Sequence, residues 1–319
     1  YGKRIGLLSL AAVVGLSLIP LTGAFTTAPD SAPLVSAQLA ATVREQLVTV
    51  EPELSGPNVQ AKTLLIAALA TGAEVYSLRP QVRWPLASVT KLVTAAVALE
   101  QLGPDQIIEL TDSAIAAEGV SGNFRAGEQF TVHDLITAMM TVSSNDAAEA
   151  VAEFYDRTIA RSLPASSDPG SVAALQLPVS KTAYFTEAMQ RFARRIGMTE
   201  TVFGDSTGLS STNQTVAKDM ATLARFIGVQ YPEIFIPSRR KTNIITELTT
   251  GSQRELININ PLSGREDFVG GKTGSTTEAK QNLLSIFSYQ GVDYVIVVLG
   301  SDNRVAETLA AYDWLKSNR

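Results

Sequence analysis

The chain has 319 residues, 45% of them apolar and 18% charged, a balance that excludes a disordered protein and provides for a sizeable packed core. A formal charge of −5 leaves no basic footprint for nucleic acid, so any anion must be held by local lysines and arginines. Cysteine is absent, which fits an exported protein that needs no disulfides but identifies no compartment.

At the start, Lys3 and Arg4 precede a mostly apolar, uncharged stretch from Ile5 to Thr27, broken by Pro20. Residues 1–27 are therefore expected to be a signal peptide, cleaved after Ala24 or Ala28, or an uncleaved N-terminal membrane anchor. Either way the remainder is expected to work outside the cytoplasm. Residues 28–57, rich in Ala, Ser, Thr and Pro with one helical candidate at Ala37 to Leu47, are expected to be a linker. Residues 58–319 are expected to be one folded catalytic body.

That body begins with a β-hairpin, Lys62 to Leu69 and Glu74 to Leu78, turning at Thr71-Gly72. An apolar-periodic run from Leu92 to Leu102 follows as a helix, ended by Gly103-Pro104. Ile107 to Thr131 carries short strands and loops. Two helices, Val132 to Met140 and Ala147 to Phe154, meet at the polar break Ser143-Ser144-Asn145-Asp146. Leu163 to Gly170 is a polar loop. Phe185, Met189, Phe192 and Ile196 mark one helix face, and Met220, Leu223 and Ile227 another. The last third changes period. Phe268 to Ser275, Leu283 to Tyr289 and Val292 to Leu299 are strands, the last two joined at Gln290-Gly291, and their nearly continuous apolar runs imply burial on both faces. A helix from Arg304 to Lys316 closes the chain. Strands at both ends with helices between predict a single α+β body, whose terminal strands form one antiparallel sheet beside a helical insert.

Three segments carry chemistry. Ser88 and Lys91 lie one helical turn apart at the head of the Leu92 helix, a hydroxyl beside an amine that can take its proton once burial or nearby charge lowers the amine's pKa. A helix N-cap would explain Ser88 equally well, and a second Ser-x-x-Lys occurs at Ser238 and Lys241. Ser143-x-Asn145 occupies the helix junction, although Ser121/Asn123, Ser211/Asn213 and Ser301/Asn303 share the pattern. Finally, Gly270-Gly271-Lys272-Thr273-Gly274-Ser275 puts glycines on a strand, which calls for the close approach of another backbone or a ligand. Read alone, Lys272 would serve as a charge guarding an exposed sheet edge. His133, the sole histidine, falls early in an amphipathic helix and is expected to be structural, while Asp205 and Glu278 are expected to be loop or surface carboxylates.

In this order, Ser88/Lys91, Ser143/Asn145 and Lys272/Thr273/Gly274 form the motif set of serine penicillin-binding proteins and class A β-lactamases. The stretches Ala87 to Lys91, Val142 to Ala148, Gly197-Met198 leading to Thr207-Gly208-Leu209, and Lys272 to Gly274 followed by a hairpin and a Trp314-containing helix closely resemble the D-alanyl-D-alanine carboxypeptidases, over roughly Lys62 to Trp314. The resemblance implies a β-lactamase/DD-peptidase-like fold, an antiparallel five-stranded sheet flanked by helices, with the Ser-x-Asn motif on the helical insert. By the same resemblance, Ser88 is the nucleophile toward a peptidoglycan stem peptide ending in D-Ala-D-Ala, Lys91 its base and Ser143 a proton relay. Asn145 holds the substrate amide, Lys272 supplies positive field, Thr273 and Arg304 bind the terminal carboxylate, and the N–H groups of Ser88 and Ser275, beside Gly274, form the oxyanion hole. No cofactor or metal is implied, and β-lactams are expected as covalent inhibitors.

The alternatives are an endopeptidase cutting D-alanyl cross-links, a class A-like β-lactamase and a penicillin sensor. No Glu-x-x-Leu-Asn deacylation motif lies between the second and third segments, against the β-lactamase. Only one apolar segment of spanning length is visible, against a sensor with several spans. The chain continues only a few residues past Trp314, so any membrane attachment is expected through the N-terminal segment.

Overall fold

The computed structural model describes residues 56–119, 122–162 and 182–319. The expected signal or anchor, nearly all of the linker and the loop Leu163 to Gly170 lie outside them. Among the described residues no helix is long and apolar enough to cross a membrane.

The hairpin at the start of the body is β1 (Thr63–Ala68) and β2 (Glu74–Leu78). A 3-10 turn at Ala87–Thr90 leads into α1 (Lys91–Leu102), which ends where Gly103 adopts φ +80° and its N–H bonds back to the Leu99 carbonyl. Helix α2 (Val132–Thr141) is capped by Thr131, whose hydroxyl accepts from the Asp134 N–H. Helix α3 (Asn145–Ser162) follows after a three-residue break, then α4 (Ala183–Ile196) and α5 (Ala217–Gln230). A hairpin, β3 (Thr242–Thr246) and β4 (Gln253–Ile257), precedes the long strands β5 (Phe268–Thr276), β6 (Lys280–Tyr289) and β7 (Val292–Ser301). The chain closes with α6 (Arg304–Ser317), capped by Asn303.

The main sheet is antiparallel, with five strands in the order β2-β1-β7-β6-β5. The ends of the body meet where β1 pairs with β7, Thr63 opposite Leu299. The expected α+β class, the five-stranded sheet and the helical insert bearing Ser143 are all present. Alternation divides the core. On one face Leu65, Leu284, Ile286, Val295 and Val297 join a single core with apolar residues of α1, α2, α4 and α5, and α5 lies directly on β1 and β7. On the other, Leu64, Ile66, Leu283, Phe287 and Val298 pack against α6, with Phe287 stacked on Tyr312 at 4.2 Å. Each such side chain, fully buried, contributes about 1.5–3 kcal/mol. The inner strands are buried on both faces, as their continuous apolar runs predicted.

Two boundaries differ from expectation, and one hairpin is additional. Ser88 sits in the 3-10 turn rather than opening the α-helix, and α3 runs from Asn145 to Ser162, beyond the apolar run at Ala147 to Phe154. The β3–β4 hairpin gives no clear signal in the sequence, because its faces are mixed: Asn243 and Glu247 are buried with Ile245 and Leu256, while Ile244 and Ile257 are exposed. Glu247 accepts from the N–H groups of Gln129, Thr249 and Thr250, which fixes the turn, and the Thr250 hydroxyl and these amides hold its carboxyl well below the usual range.

Candidate active site

The turn that carries Ser88 is held from three sides. Ala87, a non-glycine residue, is forced to φ +48° immediately before it, a conformation that costs about 1–2 kcal/mol and persists only when its surroundings over-determine it. From the sheet, the fully buried Asn282 of β6 donates to the carbonyls of Pro85 and Leu86, while its own oxygen accepts the Gly300 N–H. From the loop after α4, the Asn213 carbonyl accepts the Leu86 N–H, and its carboxamide donates to Thr90. From β5, Gly274 lies so close that a Cβ there would stand 2.9 Å from the Leu86 oxygen and 3.1 Å from the Ser88 nitrogen. The glycine of the third segment thus admits the turn itself. Gly208, at φ +90°, gives way in the same manner to the Ala87 carbonyl.

Lys91 is completely buried, and its Nζ lies 2.9 Å from Ser88 Oγ and donates to the Thr207 carbonyl at 2.7 Å. Burial pushes its pKa down to about 7, while the carboxylates of Asp205 and Glu149 pull the other way. An amine in this position is free of its proton in a large fraction of molecules at neutral pH, as a base must be.

Ser143 sits in the break between α2 and α3 at φ +59°, a second left-handed non-glycine residue. Its Oγ receives a hydrogen bond from Lys272 Nζ at 2.9 Å, across 129 residues of chain. Lys272, 2% exposed, also donates to the Thr273 carbonyl. Burial first, then the charges of Lys91 and Arg304, hold Lys272 well below the usual lysine range. Arg304, half-buried at the head of α6, donates from Nη1 to the Gly274 carbonyl at 2.8 Å, so it reaches the strand where the third motif lies. Burial lowers its pKa as well. Thr273 is buried and Ser275 exposed.

Asn145 is placed differently from the others. Its Nδ2 donates to the Glu118 carbonyl, and its Oδ1 is buried without a hydrogen-bond partner among the described residues. The structure therefore brings Ser88, Lys91, Ser143, Lys272, Thr273, Gly274 and Arg304 into one linked cluster, with Asn145 at its margin facing a loop.

The competing patterns resolve elsewhere. Arg240 is extended (ψ 146°), so Ser238 and Lys241 do not share a helix; Ser238 is buried, receiving the Gly271 N–H, and Lys241 is exposed. Ser301 donates to Glu307 and Asn303 caps α6. His133 is exposed beside Asp134, which raises its pKa by hydrogen bonding.

Asp205 is indeed a loop residue, but a central one. Its Oδ1 accepts the N–H groups of Thr207 and Gly208, and its Oδ2 accepts that of Ser210. That set of bonds presents the Thr207 carbonyl to Lys91. Asp205, Asn213 and Asn282 were missed as site residues, because each is a single polar residue whose partners are fixed only by the fold.

An α+β body with a hydroxyl on a strained turn beside a buried, proton-poor amine defines a serine hydrolase of the class that acts through a covalent acyl-enzyme. The family described as D-alanyl-D-alanine carboxypeptidase matches residues 49–158 and 165–303, and the chain belongs to that family.

Among its relatives, a D-alanyl-D-alanine endopeptidase of Escherichia coli is 25% identical over 99% of this chain and 89% of its own length. The carboxypeptidase DacC of the same organism is 25% identical over 79% of this chain, and the match spans 59% of that relative's length. Of the solved structures, a D-alanyl-D-alanine carboxypeptidase from Mycobacterium tuberculosis superposes with a TM-score of 0.67 at 21% identity, over 82% of this chain and 92% of that one. A penicillin-binding protein of Listeria monocytogenes in its ampicillin-bound form gives 0.64 at 23%, over 81% and 98%. At these identities the two structures speak for the fold.

Proposed function

We propose that the protein is a D-alanyl-D-alanine carboxypeptidase that removes the terminal D-alanine of peptidoglycan stem peptides through an acyl-enzyme on Ser88. One observation carries this reading: a wholly buried lysine amine 2.9 Å from a serine hydroxyl. Ser88 Oγ attacks the carbonyl between the two D-alanines as its proton passes to Lys91 Nζ. The negative charge that develops on the carbonyl oxygen is met by the N–H groups of Ser88 and Ser275. The C–N bond then breaks, and the leaving amine takes a proton through Ser143, which Lys272 orients. Water hydrolyses the ester and returns Ser88.

The terminal carboxylate of the substrate binds Thr273 and the cationic pair Lys272 and Arg304, and Asn145 engages the substrate amide after exchanging the Glu118 carbonyl for it. An arriving carboxylate favours the charged form of Lys272, so substrate itself completes the positive field. The catalytic body is assigned to residues 58–319, working outside the cytoplasm behind a signal or membrane anchor at 1–27 and a linker at 28–57. The same residues acylate with β-lactams.

A second reading, an endopeptidase that cuts D-alanyl cross-links, is favoured by the relative whose match spans 99% of this chain. Purified protein is expected to release D-alanine from a pentapeptide ending in D-Ala-D-Ala faster than it cleaves a cross-linked muropeptide dimer. Cleavage of the dimer without D-alanine release would establish the endopeptidase instead.

Gly274→Ala provides a separate check on the geometry. Its Cβ would press the Ser88 turn away from β5. Because a displacement of about 1 Å at a reacting group can cost about 100-fold, penicillin acylation is expected to slow by roughly that factor. Acylation at the parent rate would mean that the contact between β5 and the turn does not set the geometry.

A further inference from the structure

Ser206 is fully buried between two helices, and both hold it. Thr94 of α1, one turn beyond Lys91, donates to its carbonyl at 2.6 Å. Its own hydroxyl donates to Glu149 Oε1 at 3.0 Å. Glu149 lies on α3 one turn after Asn145, so the helix that carries the second motif also reaches the loop that supplies the Thr207 carbonyl to Lys91. We propose that Glu149 is a positioning residue for the base: through Ser206 it fixes the loop against Lys91, and through its charge it sets the pH above which Lys91 accepts the Ser88 proton.

The electrostatic half of this follows from what faces Lys91. From the loop comes Asp205, from α3 Glu149, and from β5 the amine of Lys272, itself held well below the usual lysine range and common to every protein compared below. Asp205 is committed to the amides of its own loop, so replacing it would release the turn. Glu149 accepts the Ser206 hydroxyl through one carboxylate oxygen, an acceptor that a glutamine side chain also provides without the charge. Burial lowers the pKa of Lys91, and the two carboxylates oppose this. Asp146, on the same helix, is buried and pushed up to about 6, and it is present in every protein compared below, so its titration cancels.

The inference rests on the proposed role of Lys91 as base, and the test separates the two. The second-order rate of acylation by a fluorescent penicillin is measured from about pH 5 to about pH 9 for the parent, Glu149→Gln and Glu149→Ala. Glutamine keeps an acceptor for Ser206 and removes the charge. Its acidic limb is expected to move to lower pH by about half a unit, seen as a rate roughly threefold higher near pH 6 and unchanged near pH 9. Alanine, which also releases the loop, is expected to lower the plateau. An acidic limb that stays in place in Glu149→Gln, or a plateau that falls equally in both variants, would overturn the proposal. A parent protein that shows no acylation at any pH would instead overturn the proposed function.

Discussion

Ser88→Ala is expected to abolish both turnover and covalent penicillin binding, with a loss on the order of 10⁶-fold in kcat. The expectation follows from its position: Ser88 Oγ lies 2.9 Å from Lys91 Nζ, within reach of the amine that takes its proton. The substitution removes one hydrogen bond from a half-buried residue, so stability should change by about 1 kcal/mol or less. The turn itself is held by Asn282, Asn213 and Gly274, none of which bonds to the Ser88 side chain. Intact-mass measurement and D-alanine release check the first half, and thermal unfolding the second. A variant that keeps the parent rate would remove Ser88 from the mechanism.

The second large effect is on the base. Lys91→Met fills the same buried space without an amine, and acylation is expected to fall by about 10²–10⁴-fold, the usual contribution of a positioned general base. In the parent, protonated Lys91 cannot take the Ser88 proton, so the rate should drop about tenfold for each pH unit below about 7. Linkage gives an independent readout of the same pKa. Between about 7 and the unfolded value of 10.5 the unfolded chain carries the Lys91 proton and the native protein does not, so this group makes unfolding harder as pH rises through that window. Lys91→Met removes that slope and should gain most in relative stability at or below neutral pH. Denaturant titrations of both proteins at several pH values measure it. Identical pH dependence in the two would mean that Lys91 titrates at an ordinary lysine pKa and cannot serve as the base.

The motifs were legible because their chemistry is local. Ser88 and Lys91 are three residues apart, and the break that exposes Ser143 is visible as polar residues between two apolar periods. The hairpins at 62–78 and 283–299 announce themselves by alternation and by Thr71-Gly72 and Gln290-Gly291 at the turns. Gly274 could be marked as a close-approach site without its partner being known. What the sequence could not convey were the supports. Asn282 meets Leu86 across 196 residues and Glu149 meets Ser206 across 57, and an isolated Asn or Glu carries no periodic signal. The β3–β4 hairpin escaped for the opposite reason. It buries Asn243 and Glu247 beside Ile245 and Leu256 to hold α2 and the turn after β3, and it leaves Ile244 and Ile257 outside, so apolar residues fall on both faces and no clean alternation results. Asn145 is marked in the sequence only by its motif, and its contact with Glu118 depends on a loop whose path no local pattern predicts.

The central claim is that Ser88 is a nucleophile activated by Lys91, and its most direct test is intact-mass spectrometry of the protein after exposure to penicillin, followed by peptide mapping. The account predicts one persistent adduct of the penicillin mass, located on the peptide containing Ser88. An adduct on another residue, or no adduct at any pH between about 6 and about 9, would contradict it.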